Sequence, residues 1–180
     1  MAPGRAPEVK DRALTWRGLS PPWRALGLGV TVAQAIGYTT SLIYVWHTTR
    51  MVPAGVSTHY RGADSTATEG AMEFPKSFAE MLTITHTHLL SMAAIFALSG
   101  ACLALCTRPS ERWRRFLIGE PFVALLVSFT SMWLMRYGDA RFAWLLEASS
   151  ALMALTFYTQ TWFILAELRA VARADRAAAP

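Results

Sequence analysis

An all-α integral membrane protein, built as a four-helix up-down bundle, is the class this sequence predicts, and three observations predict it. The 180 residues are 53% hydrophobic and only 16% charged, with seven Trp, well away from the balance of a soluble domain. The apolar residues fall into four blocks, Ala25–Trp46, Leu82–Cys106, Phe116–Met135 and Phe142–Ala166. Each is about 20 residues or longer, which at about 1.5 Å per residue crosses a hydrocarbon core of about 30 Å. Every block also mixes Gly, Ala, Ser and Thr with larger side chains, as helices packing in lipid do.

Taken in order, residues 1–24 form a basic cytoplasmic segment, irregular or carrying a short interfacial helix around Trp16 and Trp23. The first span, 25–47, is too long for a signal-peptide core. The stretch VWHTTRMVPAG after it offers no A-x-A cleavage site, so it reads as an uncleaved helix. The loop from Arg50 to Ser77 exceeds the usual length of a structureless connection and contains His59, Tyr60, Arg61, Met72 and Phe74. It is expected to be an ordered periplasmic cap. Ser77–Phe78–Ala79–Glu80 fits the S-x-x-E capping box and starts the second span, 78–106. Spans 116–136 and 142–168 follow, then a fraying helical tail, 169–180, on the cytoplasmic side. The short connections 107–115 and 136–141 make neighbouring spans antiparallel. Together residues 25–168 form one transmembrane domain.

Charge sets the orientation. The N-terminal segment, the 107–115 loop and the tail hold twelve Lys and Arg, against five in the segments that face the other side (Arg50, Arg61, Lys76, Arg136 and Arg141). That is the positive-inside pattern, with both termini expected in the cytoplasm. The net charge of +5 therefore reflects topology, and no basic stripe interleaved with aromatics points to nucleic acid. Cys102 and Cys106, four residues apart near the end of span 2, read as small packing residues rather than a redox pair.

All four histidines, His47, His59, His86 and His88, fall on the outer side of this topology, and Glu147 lies about one turn inside the outer end of span 4. An ionisable residue within a span is costly without a partner, so these positions are the candidate site. His86 and His88 are about 200° apart around a helix and cannot easily share one metal. His88 lies on the stripe Met81, Thr85, Met92, Ile95, Ser99, Cys102 and Cys106, expected to pack inward, and His86 heads the stripe Ala93, Ala97, Gly100 and Ala104.

Three uses fit. The first is a b-type haem with His47 and His86 or His88 as axial ligands, covered by aromatics such as Tyr44 and Trp46. The second is a Zn or Cu ion on His47, His59, His86, His88 and Glu147, with Asp64 or Glu80 as further donors. The third is a quinol site in which His and Glu take up protons. No histidine is left for a second haem near the inner face, where Glu120, Tyr158 and Gln160 form no recognisable site. Nucleotide-binding, hydrolase, zincin and covalent-haem motifs are all missing, so no independent catalytic activity is expected.

The segments VWHTTRMVPAGVSTHYRG and FPKSFAEMLTITHTHLLSM resemble a group of uncharacterised bacterial four-span inner-membrane proteins with an HYRG…FPKSF…ITHTH pattern. The resemblance covers spans 1 and 2 and the loop between them. Such proteins often carry another histidine about a dozen residues after the second of the pair, where FALSGACLAL here has none. That departure counts against a haem held across the membrane. The resemblance implies a membrane fold and transfers no function. The expectation is an accessory or electron-transfer subunit of a bacterial respiratory complex, surrounded by lipid and by larger subunits or copies of itself. The alternative is a purely structural or assembly subunit with no cofactor.

Overall fold

The computed structural model describes residues 14–63 and 73–178, and every described element is helical. A 3₁₀ turn at Trp16–Gly18 is followed by α1 (Pro21–Thr49), α2 (Pro53–Arg61), α3 (Phe78–Ala104), α4 (Glu111–Tyr137) and α5 (Phe142–Ala178). Asp64 and Met72 lie outside the described residues, as do positions 1–13 and 179–180. By length and hydropathy, α1, α3 and α4 are each able to cross a membrane.

Local chemistry sets the helix ends. Pro opens α1 and α2, where its missing N–H costs nothing and its fixed φ suits the first turn. α1 stops at two consecutive left-handed residues, Arg50 (φ 58°) and Met51 (φ 52°), after which the chain reverses into α2. A Cβ on Gly55 would sit 2.0 Å from the Thr49 carbonyl oxygen, so only glycine lets α2 fold back this closely onto the end of α1. α3 starts with the complete capping box. The Ser77 hydroxyl accepts from the Glu80 amide at 3.3 Å, and the Ser77 amide donates to the Glu80 carboxylate at 2.7 Å.

The four long helices run up and down. Thr85 meets Trp133 at one end of the α3–α4 pair and Gly100 meets Ile118 at the other. Ser128 meets Ser149, and Gln160 meets Leu117, along α4–α5, the largest interface. Each pair is therefore antiparallel. Small hydroxyls bring α4 and α5 close, with Ser128 Oγ and Ser149 Oγ 2.7 Å apart. The middle of the bundle is aromatic, with Tyr38 stacked on Phe157 at 4.4 Å and Phe96 beside both. α1 is the outlying helix, and Leu26, Val32, Ile36, Ile43 and Trp46 on it are exposed.

The described part of the 50–77 connection is ordered, as expected. α2 lies across the ends of α4 and α5, with Val56 buried against Met135 and Ala143. Arg61 donates to the carbonyls of Met135 (2.6 Å) and Gly138 (2.9 Å), and Arg136 donates from Nε to the Lys76 carbonyl at 2.8 Å. Arg61 thereby satisfies carbonyls that the C-terminus of α4 leaves free, and Arg136 ties the end of α4 to the segment just before α3. Three helices extend past their expected bounds, the first being α1, which runs Pro21–Thr49 rather than 25–47. α4 begins at Glu111 rather than 116, its first turn braced by the Glu111–Arg115 pair. α5 runs on through the expected fraying tail to Ala178, where Asp175 is paired with Arg24.

Candidate functional site

The predicted site residues all belong to the α2 end of the bundle. His47 is in the last turn of α1, His59 is on α2, His86 and His88 are in the first half of α3, and Glu147 is in the second turn of α5. Sharing an end is not the same as converging. His47, His86 and His88 are each exposed, whereas His59 and Glu147 are half-buried. Among the described residues, no three of His, Cys, Asp and Glu come together to hold a metal ion.

His88 has the most defined surroundings. Its Nδ1 lies 2.9 Å from the carbonyl oxygen of Ile84, one turn back on α3. A carbonyl only accepts, so Nδ1 carries the hydrogen and, in the neutral ring, Nε2 is left as an acceptor. The ring stands 6.4 Å from Phe129 of α4. The stripe expected to pack inward does so at Met81, Ser99 and Cys106, all buried, while His88 on the same stripe is exposed. On the other stripe Gly100 is buried against Ile118 and His86 is exposed.

His59 packs edge-to-face on Tyr60, with ring centroids 5.0 Å apart. Burial holds its pKa below the ordinary histidine value, Lys76 adds to that, and Glu73 opposes it. The folded cap therefore binds fewer protons here than the unfolded chain. Its stability is complete above the unfolded value of about 6.5 and declines as pH falls below it. Protection factors of the α2 amides, corrected for the intrinsic pH dependence of exchange, are expected to be lower at about pH 5 than at about pH 7.5, and His59→Gln is expected to flatten that difference. Equal protection at both values would show that the ring is not coupled to the cap.

Cys102 and Cys106 are free thiols. Cys106 is buried in a cluster with Trp16, Leu103, Leu117 and Ile164. Sequence reasoning set aside Gln160 and Glu120 and did not single out Glu167, and the fold makes all three prominent. Gln160 is fully buried and donates from Nε2 to the carbonyl of Leu117 at 2.5 Å. Leu117 is four residues before Pro121, which has no N–H to offer that carbonyl, so Gln160 supplies the missing donor across the helix pair. The signal was a proline inside an apolar block facing an amide on the next one. Glu120 is 8% exposed, and neither carboxylate oxygen has a hydrogen-bond partner among the described residues. Glu167 is also buried, accepting from the Thr107 hydroxyl at 2.6 Å and pairing with Arg108, which locks the α3–α4 connection.

A family model described as a transmembrane helical domain matches residues 50–175. The match takes in α2, α3, α4 and most of α5, and leaves α1 and His47 outside. No curated protein and no solved structure matches the chain.

Proposed function

The chain belongs to that family of transmembrane helical domains, and from this premise we propose that it is an accessory subunit of an electron-transfer complex in a bacterial inner membrane. In this reading α5 is the fourth span, both termini are cytoplasmic and the α2 cap is periplasmic. The distribution of twelve Lys and Arg against five supports that orientation. The observation that carries the proposal is the exposure of His47, His86 and His88 at one end of the bundle. Each presents a single imidazole outward, so each offers one ligand or one hydrogen bond to a group outside the chain's own core. A centre of this kind is completed by a partner subunit or by a small lipid-soluble molecule. A haem b would take His47 with His86 or His88 as its imidazole ligands. A copper or zinc ion would need donors from a neighbour, since the described residues of one chain do not assemble a set.

A second reading is favoured by one observation: α1 stands at the edge of the bundle with a row of large apolar side chains exposed. In that reading the chain is a scaffold, and the exposed apolar side chains of α1 meet larger subunits. Visible spectra of the mildly solubilised native complex, oxidised and dithionite-reduced, together with its metal content, separate the two. A reduced-minus-oxidised band, or bound copper or zinc, that His47→Ala or His88→Ala removes is the expected result. A colourless, metal-free complex whose composition and activity both variants leave unchanged would overturn the first reading in favour of the scaffold.

A further inference from the structure

All four long helices bring a polar side chain to one level of the bundle, between its aromatic centre and the cluster around Trp16. Gln34 of α1 donates from Nε2 to the Ile95 carbonyl at 3.3 Å, and its Oε1 accepts from the Ser99 hydroxyl of α3 at 2.9 Å. Gln160 of α5 donates from Nε2 to the Leu117 carbonyl of α4. Glu120 follows Leu117 by three residues and so shares that face of α4. Helical side chains lean toward the N-terminus, which carries the Glu120 carboxylate back over the Leu117 turn, where the Gln160 amide sits. The Tyr38 phenol, one turn beyond Gln34 on α1, lies within the electrostatic reach of both Glu120 and Tyr158.

The hydrogen bonding of this layer does not balance. The amides of Gln34 and Gln160 and the Ser99 hydroxyl already serve other acceptors. Three acceptors are left over, since Glu120 Oε1, Glu120 Oε2 and Gln160 Oε1 are buried with no hydrogen-bond partner among the described residues. None of the ion pairs of the described residues includes Glu120. The Tyr38 hydroxyl would answer one of the three at most. An excess of buried acceptors selects its occupant. An apolar group leaves it unanswered, an anion adds to it, and a cation removes it. A carboxylate in the interior of a membrane protein is costly until its charge is met. We propose that Glu120 is an intramembrane site for a small monovalent cation, a proton or a sodium ion, with Gln160 Oε1 as the second oxygen. A proton turns one carboxylate oxygen into a donor, whereas sodium takes oxygen ligands directly. The site lies away from the histidine end and does not depend on the role proposed there, and no transport step is assigned to it.

The test treats the full chain, in phosphatidylcholine nanodiscs near neutral pH, with dicyclohexylcarbodiimide, an apolar reagent that modifies carboxyl groups carrying a proton. The reaction is run in choline chloride and in sodium chloride at equal ionic strength, and adducts are located by peptide mass spectrometry. In choline, Glu120 is expected to carry at least about tenfold more adduct than the exposed Glu111 on the same helix. Sodium then separates the two occupants. Protection of Glu120 by sodium identifies the alkali ion, and unchanged labelling identifies the proton. Thermal unfolding gives a second readout, because Glu120→Gln keeps the shape of the side chain and loses its charge. If sodium is the occupant, it should raise the unfolding midpoint of the wild type and leave that of Glu120→Gln where it is. Adduct on Glu120 no greater than on Glu111 in choline would show a carboxylate answered by other groups and overturn the proposal. Sodium protection accompanied by an equal midpoint shift in Glu120→Gln would overturn it too, since the ion would then act elsewhere. Should Glu120→Gln fail to fold, the labelling of the wild type in choline decides alone.

Discussion

Trp16→Ala is expected to lower the unfolding free energy by about 3–5 kcal/mol, the usual cost of emptying a large buried aromatic site. Trp16 lies in the short turn before α1, a place where an aromatic residue would ordinarily mark the membrane interface. Here it is 2% exposed and packs among Leu103, Cys106, Leu117 and Ile164 from α3, the turn after it, α4 and α5. Its indole donates to the Cys102 carbonyl at 3.1 Å and its backbone amide to the Leu105 carbonyl at 3.2 Å, so it closes the C-terminal turn of α3. Gly27 makes room for it, since a Cβ there would come within 2.2 Å of the ring. Lipid does not compensate for the loss, because the emptied volume is enclosed by three helices and the lining side chains forfeit their contacts. Thermal unfolding in detergent should show a large drop for Trp16→Ala and a smaller one for Trp16→Phe, which keeps most of the ring and loses the N–H. Gly27→Val should resemble Trp16→Ala, because it drives the ring from the same pocket. A change within about 0.5 kcal/mol for Trp16→Ala would mean that the segment before α1 is not docked in solution.

What the sequence discloses and what it hides follow from the range of the forces involved. The Ser77–Glu80 capping box is legible because both partners lie within one turn of each other. α1, α3 and α4 are legible because each carries an apolar run long enough to cross a membrane. Helix ends are less so. Hydropathy detects the apolar stretch, while the backbone of α4 starts at Glu111 in a charged first turn, and α5 continues through an Ala- and Arg-rich tail of good helix formers. The common end of His47, His59, His86, His88 and Glu147 could be read from chain direction. Their facing could not. Facing depends on how neighbouring helices are rotated and slid against one another, and a stripe read at three- and four-residue steps drifts around the axis over its length. Ser99 and Met81 on that stripe are buried and His88 is not. Arg61 capping the end of α4 was equally invisible, since its two carbonyl partners are more than 70 positions away.

The second large effect tests the bond between α4 and α5 that replaces a backbone hydrogen bond. Gln160→Leu is expected to destabilise the bundle by about 1–3 kcal/mol, because it strands the Leu117 carbonyl where neither water nor a backbone donor reaches it. Leu is close to Gln in size and better suited to an apolar interior, so packing and transfer both work against the loss. The sign of the result therefore reports on the carbonyl. The companion change is Pro121→Ala, which restores an N–H four residues after Leu117 and allows the helix to satisfy its own carbonyl. In that background Gln160→Leu should cost little, so the double-mutant cycle should show coupling of about 1 kcal/mol or more between two residues on different helices. Unfolding in mixed micelles, with the four proteins compared under identical conditions, gives the measurement. Additive effects would mean that the Gln160 amide serves some other acceptor. They would leave the proline-freed carbonyl of α4 as an unsatisfied group at the heart of the α4–α5 interface, which a membrane interior seldom tolerates.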